Sequence, residues 1–156
     1  KESRGKLKQT LSDWHKKMKR QNPHAYYQIQ YNRFKKVAGY KFQTKKGEKV
    51  RNILEKDVAD CLYDEGMTYV YEPLVKIGSK YFFPDFIINN KIIVECTMWR
   101  GYDKAIKLAE KIDSFKRKYK VYVVIPNQLY KYYLKIKDNL ILGVDKFEGL
   151  IKSRFF

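Results

Sequence analysis

The chain has 156 residues, 44% of them hydrophobic, and a formal net charge of +17 at pH 7. This apolar content excludes disorder throughout, and no apolar run is long enough to span a bilayer or to serve as a signal peptide. We therefore expect an intracellular protein, cytoplasmic or nucleoid-associated. So large an excess of Lys and Arg repels itself unless a polyanion binds it, which favours nucleic acid over a membrane as the partner.

Residues 1–46 are predicted to form a basic, helical N-terminal arm, and residues 47–156 a separate domain. Four apolar residues of the arm recur at helical spacing: Leu7, Leu11, Trp14 and Met18. A second helix is predicted to begin near Pro23 and to end near Gly39. The apolar stripe of the first helix could pair across a two-fold axis, so we expect a homodimer.

Basic residues dominate the first third of the chain, and we expect several of them to contact DNA phosphates. The predicted phosphate contacts are Arg33, Lys35, Lys36, Lys45, Lys46 and Arg51. Aromatic side chains between Tyr26 and Phe34 alternate with these basic residues and could stack on unpaired bases. The simpler interpretation of the aromatic side chains is that they pack the arm against the domain or a second subunit.

From Gly47 onwards the pattern predicts alternating helices and strands. A helix with an apolar stripe from Val50 to Leu62 is expected to end at Gly66, and it carries Glu55 at the edge of the stripe. Three strand-like runs follow, at about residues 69–77, 80–88 and 91–98. Their reversals are predicted at Gly78-Ser79 and at Asn89-Asn90.

The remaining residues predict a crossover and a short tail. A helix with one apolar face from Ala105 to Phe115 precedes a buried strand, "KVYVVIP", which favours a right-handed parallel crossover. A helix near 128–137, a short strand "LILGV" and a final short helix complete the chain. The predicted fold class is α/β, with a mixed sheet flanked by helices.

Two acids stand in the apolar strands of this predicted sheet. A two-residue turn at Asn89-Asn90 would place Asp85 and Glu95 on opposite faces, whereas a three-residue turn over 89–91 would pair them directly. Two facing carboxylates repel strongly unless a cation bridges them. Mg²⁺ or Mn²⁺ suits such oxygen ligands, and the backbone carbonyl of Cys96 could add a third ligand. Alternatively, Asp85 only starts a strand and Glu95 pairs with a lysine.

The sequence resembles the PD-(D/E)XK nuclease superfamily over about residues 47–126. The features that carry the resemblance are Glu55 in "LEKDVADCLYDEG", Pro84-Asp85-Phe86, Val94-Glu95-Cys96-Thr97 and Trp99. Within that superfamily it resembles junction-resolving endonucleases of phages and transposon-end nucleases. The resemblance implies a restriction endonuclease-like fold and divalent-metal hydrolysis of DNA, with Glu55 orienting a water molecule or helping to hold a second ion.

Thr97 departs from the family pattern, which usually has a lysine there to help activate water and stabilise the phosphorane. Three outcomes are open. In the first, a lysine from elsewhere fills the role: Lys104 or Lys111 on the next helix, or Lys80 on the predicted strand that carries Asp85. Alternatively, metal-bound water suffices, or catalysis is lost and the fold only binds.

The sequence thus predicts a metal-dependent endonuclease acting on duplex or branched DNA. The alternative from another class is a non-catalytic nucleic-acid-binding or assembly subunit on a nuclease fold, which Thr97 favours. A third hypothesis, an RNA-processing enzyme that uses Tyr, His and Lys, is disfavoured because no histidine follows His24.

Overall fold

The structure is a computed structural model that describes residues 2–154. The chain divides into two compact units, Lys1–Gly39 and Tyr40–Phe156. The structure groups residues 40–46 with the second unit rather than with the N-terminal arm. The backbone N–H of Lys45 donates to the Asp60 carboxylate at 2.8 Å, which ties this segment to the second unit.

The first unit consists of the two helices that the sequence predicts, α1 (Glu2–Gln21) and α2 (Pro23–Val37). Asn22 separates them, and its side-chain oxygen accepts a hydrogen bond from the backbone N–H of Ala25, which caps α2. The apolar stripe of α1 is largely exposed, with Leu7 62% exposed. The homodimer expected from this stripe stays a prediction. Among residues 2–154, no helix combines the length and apolar composition needed to cross a membrane.

The second unit is a mixed α/β fold, as predicted. Its regular elements in chain order are β1 (Phe42–Gln43), β2 (Lys49–Val50), α3 (Ile53–Asp64), β3 (Tyr69–Tyr71), β4 (Val75–Ile77), β5 (Lys80–Phe82), β6 (Phe86–Ile88), β7 (Ile92–Cys96), α4 (Asp103–Phe115), β8 (Lys120–Ile125), β9 (Leu140–Leu142) and α5 (Val144–Lys152). Two 3-10 helices, Asn127–Tyr132 and Leu134–Asn139, lie between β8 and β9.

Within the described residues, the central sheet has five strands in the order β3-β6-β7-β8-β9. The β3-β6-β7 pairs are antiparallel and the β7-β8-β9 pairs parallel, so α4 is the predicted crossover helix. Alternate residues of β7 enter different cores because side chains of a strand alternate between faces. Val94 packs with Leu62 of α3 and Phe147 of α5, and Ile93 packs with Phe115 of α4.

The first two predicted long strands are each divided into two short ones. Glu72 has a left-handed φ of 46° and is followed by Pro73, and Pro84 separates β5 from β6. Proline cannot donate to a ladder, and a left-handed residue turns the chain. The outer halves, β4 and β5, therefore pair as a separate hairpin whose turn is Gly78-Ser79, as predicted.

The three-residue turn between β6 and β7 is confirmed. Ile88 lies opposite Ile92, which leaves 89–91 as the turn, and both of its asparagines have a positive φ, 51° and 57°. Asparagine tolerates this left-handed region better than most residues. Extended by one residue beyond the ladder, the same register brings Asp85 opposite Glu95, as the sequence predicts.

The segment after β8 differs from the predicted helix. Its hydrogen bonds span three residues, from the Tyr133 N–H to the Tyr130 carbonyl and from the Ile136 N–H to the Tyr133 carbonyl. This 3-10 spacing places residues three apart on one side, so Tyr133 and Ile136 are both buried with α4 and β8. The Tyr133 hydroxyl lies 3.2 Å from the hydroxyl of Thr97, the residue that follows β7.

Candidate metal centre

Asp85 is buried immediately before β6, and its two carboxylate oxygens have different partners. Oδ2 accepts a hydrogen bond from the backbone N–H of Cys96 at 2.7 Å. Oδ1 accepts one from Nη2 of Arg51 at 3.0 Å. Since β6 begins pairing with β7 only at Phe86, the N–H of Cys96 is available to the Asp85 side chain, which fixes that side chain against β7.

Glu95 is buried on β7, with Oε1 3.2 Å from Nζ of Lys111 on α4. Burial and the neighbouring charge of Asp85 raise the pKa of Glu95 to about 8, although Lys111 acts in the opposite direction. The two acids therefore interact across β6 and β7, as the register predicts. Without a cation between them, the chain stabilises the neutral form of Glu95.

Glu55 reaches the same cluster from the first turn of α3. Asn52 caps this helix by accepting a hydrogen bond from the Glu55 N–H at 2.9 Å. The carboxylate oxygen Oε2 accepts from the Arg51 N–H at 2.9 Å and from the Tyr71 hydroxyl at 2.8 Å. Burial, followed by the charge of Asp85, raises the pKa of Glu55. The sequence predicts Glu55 at the edge of the apolar stripe of this helix, and in the structure it lies beside Glu72 and Asp85.

Glu72 is a fourth buried carboxylate, and sequence reasoning missed it. Its left-handed φ of 46° directs it out of the strand pattern, so no period-two alternation marks it. The Tyr40 hydroxyl is 2.7 Å from Oε2 of Glu72. Burial and this hydrogen bond raise the pKa of Tyr40. The one signal in the sequence is an acid directly before Pro73, which restricts the preceding residue.

Arg51 is the cation at the centre of these acids. Its Nε lies 3.0 Å from Oε1 of Glu72 and 3.6 Å from Oε1 of Glu55, and its Nη2 contacts Asp85. The Arg51 side chain is 42% exposed, whereas the three carboxylates are buried. Arg51 was predicted to contact DNA phosphates, but in this structure its guanidinium pairs with protein carboxylates.

The buried cluster carries more negative than positive charge. Within the described residues, the carboxylates of Glu55, Glu72, Asp85 and Glu95 face Arg51 and Lys111. Full ionisation would leave two negative charges without a partner. Glu55, Glu72 and Asp85 each offer an oxygen atom within 4.8 Å of the others, and oxygen donors of this kind are the ligands that a hard divalent cation takes. Of the predicted ligands Asp85 and Glu95, this group among the described residues includes Asp85 and not Glu95. The backbone of Cys96 contacts this cluster through its N–H, which donates to Asp85, and its carbonyl as a metal ligand stays a prediction.

Replacing Arg51 with Met is expected to lower the free energy of unfolding in EDTA by about 2–4 kcal/mol, because it leaves buried carboxylates without their cation. The partial exposure of Arg51 keeps the loss below that of a fully buried pair. Urea denaturation measures the effect. Lys45→Met is the control, since Lys45 forms an exposed pair with Asp64 and little change is expected. Equal effects of the two substitutions would refute this role of Arg51.

The raised pKa of Glu95 predicts that stability falls with pH in metal-free buffer. Between the ordinary pKa of a glutamate and about 8, native Glu95 holds a proton that the unfolded chain releases. The free energy of unfolding therefore decreases as pH rises through this window, by up to about 1.4 kcal/mol per pH unit. Urea titrations of wild type and Glu95→Gln at several pH values test this. An unchanged slope in Glu95→Gln would contradict it.

Of the three lysines predicted to replace the usual lysine at position 97, Lys111 is the one that pairs with an acid of the cluster, Glu95. Lys104 is seven residues earlier on α4 and half-buried, and in the described part of the chain it forms no ion pair with the cluster. Lys80 is exposed on β5. Thr97 itself is buried. Its hydroxyl lies 3.2 Å from the Tyr133 hydroxyl, and its oxygen accepts a hydrogen bond from the backbone N–H of Trp99 at 3.2 Å.

The other predicted phosphate contacts are divided between the two units. Lys45 pairs with Asp64 at 2.7 Å, and Lys46 donates to the Tyr69 carbonyl at 2.6 Å. The remaining three, Arg33, Lys35 and Lys36, lie near the end of α2 in the first unit. Their contacts with DNA phosphates stay a prediction.

Comparison of the chain with protein-family models, with curated proteins and with solved structures gives no match.

Proposed function

We propose that the chain is a divalent-metal-dependent DNA endonuclease with a restriction endonuclease-like arrangement of the PD-(D/E)XK type. One observation carries the proposal: three buried carboxylates, those of Glu55, Glu72 and Glu95, lie near the buried carboxylate of Asp85, and Arg51 and Lys111 supply two positive charges. If all four acids ionise, Arg51 and Lys111 offset two of the four negative charges, and a bound divalent cation would offset the other two. The net charge of +17 supports nucleic acid as the substrate.

In this proposal Asp85 and Glu95 are metal ligands, with Glu55 and Glu72 available for a further ligand or a bound water. When bound, Mg²⁺ or Mn²⁺ lowers the pKa of its water and polarises the scissile phosphate. The Cys96 N–H and the Tyr71 and Tyr40 hydroxyls hold three of the carboxylates in place.

Lys111 takes the role that the family gives to the lysine missing at Thr97. Its ammonium group already lies beside Glu95, where it can neutralise charge that develops on the phosphate oxygens. Arg51 is partly exposed, so its guanidinium can turn from the acids to a phosphate when a metal ion enters. A guanidinium binds carboxylate and phosphate with the same fork of donors.

A cleavage assay tests the proposal. Supercoiled plasmid, linear duplex and four-way-junction DNA are incubated with the wild-type chain in Mg²⁺, Mn²⁺ or EDTA. We expect nicked or cut products with either metal ion and none in EDTA.

The second candidate is a non-catalytic nucleic-acid-binding subunit on the same fold. The hydrogen-bond contacts of Thr97 with Tyr133 and Trp99 favour this second candidate. They give residue 97 a structural role at the position where the family usually has a catalytic lysine. Salt-sensitive DNA binding without turnover in Mg²⁺ or Mn²⁺ would establish this candidate and exclude the endonuclease.

A further inference from the structure

The segment that follows β7 exposes a group of large side chains close to the acidic cluster. Trp99 is 58% exposed and Tyr102 is 65% exposed. Trp99 is four residues beyond Glu95, so its backbone lies within about 14 Å of that acid even if the chain is fully extended. Large aromatic side chains this exposed mark interaction sites when other features of the surface agree.

The exposed Trp99 is held in a fixed position. Its backbone N–H donates to the Thr97 hydroxyl at 3.2 Å, and its carbonyl accepts from the Tyr133 hydroxyl at 2.7 Å. The indole Nε1 donates to Asp103 at 3.1 Å. Gly101 permits this arrangement, because a Cβ there would lie 2.8 Å from the indole nitrogen.

These contacts hold the backbone and one edge of the indole, so the exposed surface comes from the rest of the ring. A rigid, exposed aromatic face loses little conformational entropy when a planar group stacks on it. Thr97, which lacks the charge of the usual lysine, has a structural use here. Next to the candidate metal centre, the Thr97 hydroxyl holds the backbone of Trp99 in place.

The charge around Trp99 suits a strand of nucleic acid. Arg100 is exposed beside it, and Lys107 is exposed on α4. Lys131 lies 5.0 Å from the ring centre of Tyr132, and Tyr132 packs edge-on against Tyr102 with centres 5.1 Å apart. Alternating aromatic and basic side chains are the surface on which unpaired bases stack while cations follow the phosphates.

We propose that Trp99 stacks on an unpaired base of the DNA strand whose phosphodiester lies at the acidic cluster, so that the preferred substrate is single-stranded or branched DNA. The inference rests on the proposed function, because that function is what puts the scissile phosphodiester at the acidic cluster. A distance of up to about 14 Å from Glu95 corresponds to about four base steps of 3.4 Å. In a continuous duplex the neighbouring base pairs cover both faces of a base, so Trp99 would find no partner.

Tryptophan fluorescence tests the stacking directly. Of the two tryptophans, Trp14 is replaced by Phe, so that Trp99 is the remaining emitter. The variant is titrated in EDTA with oligodeoxythymidylate, with a four-way junction and with blunt duplex of equal length, each labelled so that anisotropy reports binding separately. We expect the single strand and the junction to quench Trp99 fluorescence, and the bound duplex to leave it nearly unchanged.

A matched pair of variants measures the contribution to affinity. Trp99→Ala is expected to weaken binding of the single strand by about fivefold to a hundredfold, while Trp99→Phe retains most of it. Tyr63→Ala is the control, because Tyr63 is 51% exposed on α3, and it should change affinity little. Should Trp14→Phe fail to fold, the difference between wild-type and Trp99→Phe emission gives the same quenching signal.

Two outcomes would overturn the inference. One is binding of the single strand without quenching, and the other is equal quenching by duplex. Both leave the endonuclease proposal intact, since that proposal depends on metal-dependent cleavage. Conversely, quenching without cleavage in Mg²⁺ or Mn²⁺ would retain the stacking site and exclude the enzyme. Absence of DNA binding in EDTA would also overturn the stacking inference, whereas the endonuclease proposal is decided by the cleavage assay.

Discussion

Asp85→Asn and Glu95→Gln are each expected to reduce metal-dependent DNA cleavage by more than about a hundredfold. Loss of a residue that only orients a ligand costs about 10- to 100-fold, and these residues are proposed as the ligands themselves. Both substitutions keep the side-chain volume and remove the charge that holds the cation. The initial rate of plasmid nicking at saturating Mg²⁺ measures the effect.

The fold is expected to survive both substitutions. An amide oxygen at position 85 can still accept from the Cys96 N–H. Glutamine at position 95 resembles the neutral acid, the form that the raised pKa of Glu95 favours. Circular dichroism and urea denaturation check this. The matched control is Glu110→Gln, which changes an exposed acid of α4 next to Lys111. If both site variants cut as fast as this control, the metal ligands have been assigned wrongly.

Lys111→Met is expected to lower the cleavage rate by about 100- to 1,000-fold, as removal of a preorganised charge at the reacting group does in other enzymes. Met keeps much of the aliphatic length but loses the ammonium group that lies 3.2 Å from Glu95. The metal affinity should change much less than the rate, because Lys111 is not a ligand in the proposed mechanism. Single-turnover cleavage at saturating metal separates these effects.

Lys104→Met provides the comparison for Lys111→Met. The two lysines are seven residues apart on α4 and therefore share one side of the helix. Glu95 nevertheless pairs with Lys111. A small loss of cleavage rate in Lys104→Met and a large loss in Lys111→Met would identify Lys111 as the substitute for the usual lysine. A large loss at Lys104 with normal cleavage by Lys111→Met would instead assign the role to Lys104.

The part of the site that depends on residues close together in the sequence could be predicted from the sequence alone. Asn89 and Asn90 accept left-handed φ values, which selects a three-residue turn and thereby the register of Asp85 with Glu95. Helical spacing placed Glu55 at the edge of the α3 stripe, and the burial of Leu54 and Val58 beside it follows from the same pattern. Each of these inferences needs only neighbours within a few residues.

The rest of the site depends on contacts between distant parts of the chain. Glu72 joins the cluster through a positive φ and the Tyr40 hydroxyl, neither of which leaves a periodic signal. The charge of Arg51 is visible in the sequence and predicts a phosphate contact, whereas its ion pairs with Glu55, Glu72 and Asp85 form only on folding. Long strands were predicted from continuous apolar runs, yet Pro73 and Pro84 divide them because proline cannot join a ladder.

Binding of Mn²⁺ without DNA tests the central claim most directly, namely that the acids around Asp85 bind a divalent cation. Electron paramagnetic resonance follows the loss of the free Mn²⁺ signal as wild-type protein is added, with Mg²⁺ as competitor. We predict binding by wild type and an affinity at least about tenfold lower in Asp85→Asn, with Glu110→Gln like wild type. Absence of binding by wild type, or equal binding by Asp85→Asn, would contradict the proposed metal centre.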